Sequence, residues 1–213
     1  IQAADISNPR ESKLFPAVNI NSPIHDLTIQ GGFVFLATDR GLLVMDFTNP
    51  ESPQDVSEYA IPGGIAGVFI QGQTGYVVDR AGLRLLDFSH APVIHEIGKK
   101  GTPGEANAIF VSDSIAYIAD GFNGLVVHGT RVLVSTDEST LNYSSAQINI
   151  EGVTKSGNYL FLAASEQGVR ILDVSDPTSP KLIKNIDTPG YSRQVTVMAD
   201  RAFVSDGPGG LLV

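Results

Sequence analysis

A short apolar segment that returns at a nearly constant interval constrains this chain more than anything else in it. Gly41-Leu42-Leu43-Val44-Met45-Asp46-Phe47 comes back as Gly82-Leu83-Arg84-Leu85-Leu86-Asp87-Phe88 and as Gly168-Val169-Arg170-Ile171-Leu172-Asp173-Val174, with weaker copies beginning at Gly124 and Gly210. The five glycines are 41, 42, 44 and 42 residues apart, the period of architectures in which each repeat is one four-stranded sheet. A unit that short cannot bury its apolar faces alone, so neighbouring units must stack on one another. The spacing predicts an all-β chain: a β-propeller of four-stranded antiparallel blades, about 42 residues per repeat, with about five blade equivalents.

The residues between the glycines fit that reading. An apolar strand reaches a turn at Gly31, Gly72, Asp113 or Gly157, and the strand after it carries an aromatic residue in every copy: Phe35, Tyr76, Tyr117, Phe161 and Phe203. The Gly-Leu segment is the third strand and ends at Asn49-Pro50, at Pro92 or at Asp176-Pro177. A fourth, more polar strand leads to Ile61-Pro62-Gly63, Thr102-Pro103-Gly104 or Thr188-Pro189-Gly190, where proline and glycine stop the ladder. Strands this short and this closely punctuated leave almost no room for helix. Residues 1–23 read as the end of a blade, 24–63, 64–104 and 148–190 as repeats, 105–147 as a degenerate repeat, and 191–213 as the start of a blade, all within one domain. Pairing the two ends would close five blades with a redundant third strand. A piece of a six- or seven-bladed ring is the expected reading of the two.

Val169 to Pro177, together with Tyr117-Ile118-Ala119-Asp120, resembles the LVIVD repeat of bacterial and archaeal propeller proteins. The resemblance covers nearly the whole chain and departs at residues 128–147, where the Asp and the Asp-Pro turn of the third strand are missing. It implies a propeller on an exported or cell-surface protein, and hence an extracytoplasmic location. It implies no particular reaction.

Composition narrows the partners. Twenty-three acidic residues against 14 basic ones give a net charge of −9, and no basic run exceeds Lys99-Lys100, so neither nucleic acid nor an anionic membrane is an expected partner. No apolar stretch approaches the roughly 20 residues of a membrane helix. The absence of cysteine excludes disulfides, thiolate metal ligands and a cysteine nucleophile. The first residues carry no signal-like segment, so any targeting peptide is expected to have been removed or to lie upstream.

Residue types that recur at one place in several blades serve the blade, because a single active site would need them once. Asp39, Asp79, Asp120 and Asp206 after the second strand, and Asp5, Asp46, Asp87 and Asp173 in the third, are read as turn acceptors of backbone N–H groups. Functional candidates are positions that vary. The residues two before Leu27, Val68, Ile109, Val153 and Val195 are His25, Ala66, Asn107, Glu151 and Arg193, and in a propeller they should ring one mouth of the central channel. His25, Asn107, Glu151 and Arg193 are therefore candidate ligand-binding residues, with solvated polar side chains as the plainer reading. The eroded third repeat supplies a second candidate, a partner-binding loop containing His128, Arg131, Asp137 and Glu138.

The four histidines show no metal-ligand spacing, and neither a nucleophile elbow nor a phosphate loop is present. Two functions follow. The leading one is a non-enzymatic extracytoplasmic scaffold that binds another protein or a surface assembly and needs no cofactor. The other is a metal-dependent hydrolase or lactonase-like enzyme, in which Glu151, Asn107 and His25 or Asp26 hold a divalent cation at the channel mouth.

Overall fold

A computed structural model describes residues 1–130, 140–143 and 148–213. A short hairpin, β1 (Ala4–Asp5) with β2 (Lys13–Leu14), precedes five blades. Blade one contains β3 (Ile24–Gln30), β4 (Phe33–Thr38), β5 (Gly41–Asp46) and β6 (Gln54–Ala60). Blade two contains β7 (Gly67–Gln71), β8 (Thr74–Asp79), β9 (Gly82–Asp87) and β10 (His95–Lys100). Blade three contains β11 (Ala108–Ser112), β12 (Ile115–Ala119), β13 (Leu125–Gly129) and β14 (Thr140–Tyr143). Blade four contains β15 (Gly152–Ser156), β16 (Tyr159–Ala163), β17 (Val169–Asp173) and β18 (Lys181–Ile186). Blade five contains β19 (Gln194–Met198), β20 (Arg201–Ser205) and β21 (Leu211–Leu212). Within each blade the strands pair in sequence order, each antiparallel to the next. Among the described residues the one helical element is a 3-10 turn at Gly207–Gly209.

The continuous apolar strands follow from burial on both faces. In β4, Val34 and Leu36 pack on one side of the blade while Phe35 and Ala37 pack on the other, against Ile65, Val68 and Val77 of blade two. The pattern continues around the axis: Tyr76 and Val78 meet Ile109 and Ile118, and Tyr117 and Ala119 meet Val153 and Leu162. The first strands converge, each touching the next from β3 through β19. Small residues make that approach feasible, since a Cβ on Gly67 would lie 3.1 Å from the Ala108 Cα and one on Gly152 would lie 2.7 Å from the Arg193 carbonyl oxygen.

Each turn between first and second strands opens on a residue with positive φ, Gly31 at 60°, Gly72 at 61°, Asp113 at 53°, Gly157 at 55° and Ala199 at 54°, and in blades one and three Gly32 and Ser114 follow at 84° and 63°. In blades one, two and four the fourth strand carries a register shift that leaves Val56, Ile97 and Ile183 as the extra residue. A bulge on an outermost strand spoils its edge as a template for a further strand.

Among the described residues no ladder joins the terminal segments: β1 pairs with β2, and β21 pairs with β20. The N-terminal segment instead covers the outer face of blade one, where Ile1 and Val18 pack beside Ile20, Val34, Leu36, Leu43 and Met45.

Candidate functional site at the channel mouth

The strand order places three things on one face of the propeller: the starts of the first strands, the turns between second and third strands, and the links between blades. The Asp-containing turns that close the third strands lie on the opposite face. Four of the five ring positions have the same backbone geometry. The N–H groups of Ala66, Asn107, Glu151 and Arg193 donate to the carbonyls of Val78, Ala119, Ala163 and Ser205 at 2.8, 2.8, 2.9 and 2.9 Å. His25 differs, because it is the extra residue of a bulge between Ile24 and Asp26.

All five side chains line a single cavity of about 750 Å³. Asp26, Glu105, Phe122, Asn149 and Gln194 line it as well. Counting along the repeat finds the ring because the first strand begins at the same place in blades two to five, and the bulge in blade one keeps His25 on the cavity. Glu105, Phe122 and Asn149 are not found that way, since they come from links and turns whose lengths differ between blades.

Several polar groups at the mouth are held in place. His25 Nε2 is 2.6 Å from Asp39 Oδ1. Asn107 Nδ2 donates to the Ile150 carbonyl at 3.2 Å, and Asn149 Nδ2 donates to Glu151 Oε1 at 3.2 Å. Asp26 bridges two blades: Oδ2 accepts the Val68 N–H at 3.0 Å and Oδ1 the Leu27 N–H at 2.8 Å. Its position corresponds to Gly67, Ala108 and Gly152 of blades two to four and to Gln194 of blade five, so a carboxylate fills a place kept small in the three blades that follow. Burial pushes the Asp26 pKa above the usual carboxylate range, and the two N–H bonds offset part of the rise.

Asp26, Glu105, Glu151 and His25 are the groups that could hold a cation here. Among the described residues, however, no three His, Cys, Asp or Glu side chains gather closely enough to form a metal site.

The repeated acids serve the frame, with one reassignment. Asp79, Asp120 and Asp206 are buried at the end of the second strand, and the residue in that place in blade one is Thr38, not Asp39. Thr38 Oγ1 donates to the Gly41 carbonyl at 2.9 Å, while Asp39 is displaced by one residue onto the mouth beside His25. Asp120 accepts the Gly104 N–H at 2.7 Å, and Asp206 accepts the Gly190 N–H at 2.6 Å and the Thr188 hydroxyl at 2.6 Å. Each of these two acids thereby fastens the Thr-Pro-Gly link that enters its blade. Burial alone would raise the pKa of Asp206, but the bonds from Thr188, Gly190 and Ser192 outweigh it and hold the group low. The third-strand acids Asp5, Asp46, Asp87 and Asp173 accept the N–H two residues on, from Ser7, Thr48, Ser89 and Ser175, at 2.8–2.9 Å.

The second candidate does not form as expected around His128. That residue is not on an exposed loop: it lies in β13, paired opposite Ala116, and is 2% exposed. A continuously apolar third strand, Leu125-Val126-Val127, persists there although its Asp-Pro turn is gone, and the strand carries position 128 into the core. Arg131, Asp137 and Glu138 lie outside the described residues.

The family model of the LVIVD repeat matches residues 24–60, 103–127 and 150–188, in blades one, three and four. No curated protein matches the chain in sequence. Among solved structures, the computationally designed Ika8 protein is similar at 12% identity and a TM-score of 0.67, over 87% of this chain and 56% of the designed one. A functionally unknown protein from Desulfotomaculum acetoxidans DSM 771 is similar at 16% identity and a TM-score of 0.67, over 91% of this chain and 68% of that one. The chain thus spans little more than half the length of the designed protein, and at these identities the likeness concerns the fold. With the repeat matched in three of its five antiparallel blades, the chain is a β-propeller that contains LVIVD repeats.

Proposed function

We propose that this propeller is a non-enzymatic, extracytoplasmic scaffold whose channel-mouth face binds another protein or joins a surface assembly. One observation carries the reading: the side chains that do not repeat from blade to blade converge on one solvent-open cavity. The repeated acids, by contrast, are bonded to the backbone of their own turns and links. A rigid frame that holds varied side chains on one face suits recognition. The bulged outer strands argue for the mouth over the rim, because they discourage strand addition. The extracytoplasmic location rests on what the LVIVD resemblance implies.

The test places a photo-crosslinking amino acid at Ala66 on the mouth or at Lys184 on the outer strand of blade four, in tagged protein expressed in its source cells. The expected result is one crosslinked protein from position 66, none from 184, and tagged protein in the extracytoplasmic fraction. A cytoplasmic signal would end the location, and silence at both positions would end the scaffold reading.

A further inference from the structure

We infer that the channel mouth receives a basic segment of a partner protein, with a lysine or arginine side chain entering the cavity. This rests on the scaffold reading and specifies its surface and partner chemistry.

Charge is the first argument. Asp26, Glu105 and Glu151 line the cavity, whereas Arg193 and His25 are its cationic or potentially cationic members. His25 is already engaged by Asp39 at 2.6 Å, which brings a fourth carboxylate to the mouth. Low-dielectric walls concentrate such a field inside a cleft, and the chain as a whole carries a charge of −9.

Preorganisation is the second. Glu151 is held by Asn149, and Asp26 is fixed between two backbone N–H groups. Each carboxylate keeps lone pairs for a further donor, so a guest ammonium or guanidinium finds acceptors that need little ordering.

The third is an aromatic residue with no structural reason to stand where it does. Phe122 lines this polar cavity at 71% exposure, among the most exposed large apolar side chains of the molecule. It sits in the turn between β12 and β13, whereas Phe35, Tyr76, Tyr117 and Phe161 of the second strands are packed between blades. A ring beside several carboxylates offers a face to a cation and apolar contact to the stem of a long side chain. A volume of about 750 Å³ admits one such side chain with the backbone that carries it. The favoured occupant is a protein loop over a free amine, because the side chains come from all five blades and form a broad rim that a small molecule would leave largely uncovered.

The test titrates the purified chain with two capped pentapeptides, one carrying two lysines and the other two glutamates in the same places. The lysine peptide should bind, weaken as salt rises, and lose affinity at least about fivefold in Glu105→Gln/Glu151→Gln. Phe122→Ala, which removes an exposed side chain and should leave the fold intact, should weaken it about threefold. The control Glu51→Gln/Asp55→Asn removes two charges on the outer strand side of blade one and should leave affinity unchanged. Equal binding of both peptides, or equal losses in the mouth and control variants, would overturn the inference. The two readings fail separately. A crosslinked partner at position 66 with no lysine-peptide binding removes the basic segment and leaves the scaffold, whereas no crosslink at any position removes the scaffold itself.

Discussion

Blades two and four contain the same third-strand motif, Gly-Leu-Arg-Leu-Leu-Asp at 82–87 and Gly-Val-Arg-Ile-Leu-Asp at 168–173, yet the arginine meets different company in each. Arg84 Nε donates to Asp79 at 2.6 Å and its Nη1 to Glu96 at 2.7 Å. Both bonds raise its pKa further, Glu96 contributing most. In blade four the place of Asp79 is taken by Ala164, and the place of Glu96, opposite the last leucine of the motif, is taken by Leu182. Arg170 Nη2 donates to Gln167 at 3.2 Å, and its Nε is buried without a partner among the described residues. The repeat preserves a backbone and an arginine, but the partners sit on neighbouring strands that drift separately. One motif can therefore be an ion-pair hub in one blade and an isolated cation in another.

The largest effects should fall on what the two blades share. Gly82 and Gly168 have φ of 118° and 70°, and a Cβ at either would collide with the backbone of the fourth strand and of the link beyond it: Lys100 and Thr102 in blade two, Ile186 and Thr188 in blade four. Gly82→Ala and Gly168→Ala should each cost about 3 kcal/mol or more, combining a disfavoured conformation with a steric clash. Urea unfolding checks this, and a mild loss at either glycine would show that the two backbones are not equivalent.

The same register sharpens the view of blade three. The core position filled by Leu86 and Leu172 is occupied there by His128, whose pKa is pushed down to about 4, chiefly by burial and then by the nearby Lys100, with a small offset from the Gly101 backbone. A histidine whose folded pKa lies below its unfolded value stabilises the fold above the unfolded pKa and loses that contribution as pH falls through the folded one. The window therefore runs from pH 6.5 down to about 4. Between pH 7.5 and 4.5 the native chain should lose about 2–3 kcal/mol that His128→Leu does not lose. Parallel unfolding curves for the two proteins over that range would reject the buried neutral imidazole.

These cases show what a single sequence discloses. The glycine period, the second-strand aromatic and the Asp-x-Ser/Thr turns were legible because each repeats where backbone geometry demands it. The channel-mouth ring was legible by counting, since the first strands of blades two to five start in register and the bulge at His25 still leaves that side chain on the cavity. Asp39 was misassigned because an acid one residue past the true position looks the same in a sequence, and only pairing shows that Thr38 is the buried equivalent. His128 looked like the start of a loop because turn chemistry vanishes after it, although the apolar run Leu125-Val126-Val127 that leads it into the core was present. Glu105 and Phe122 come from segments of unequal length, which no periodic count can align.

A sharper separation of blades two and four comes from removing each arginine. Arg84→Met strands the nearly buried carboxylate of Asp79, which keeps the Ala81 N–H as its remaining donor. The expected cost is about 2 kcal/mol, below that of a fully buried pair because Arg84 is 24% exposed. Arg170→Met leaves no carboxylate behind and should cost less than about 1 kcal/mol. Equal losses at the two positions would mean that blade four supplies Arg170 with a partner as strong as Asp79.

The smallest effect tests whether the difference between the blades can be erased. Leu182 is exposed on the outer strand of blade four, opposite Leu172, as Glu96 stands opposite Leu86. A glutamate at 182 should therefore reach Arg170 along the path that Glu96 takes to Arg84. Because the site is partly open to solvent, Leu182→Glu should gain only about 0.5 kcal/mol over Leu182→Gln, and the gain should shrink in high salt. Comparing Glu with Gln at one site cancels the loss of the leucine and isolates the charge. If the two variants unfold together at every salt concentration, Arg170 is directed away from the outer strand, and the blades differ in side-chain geometry as well as in partner.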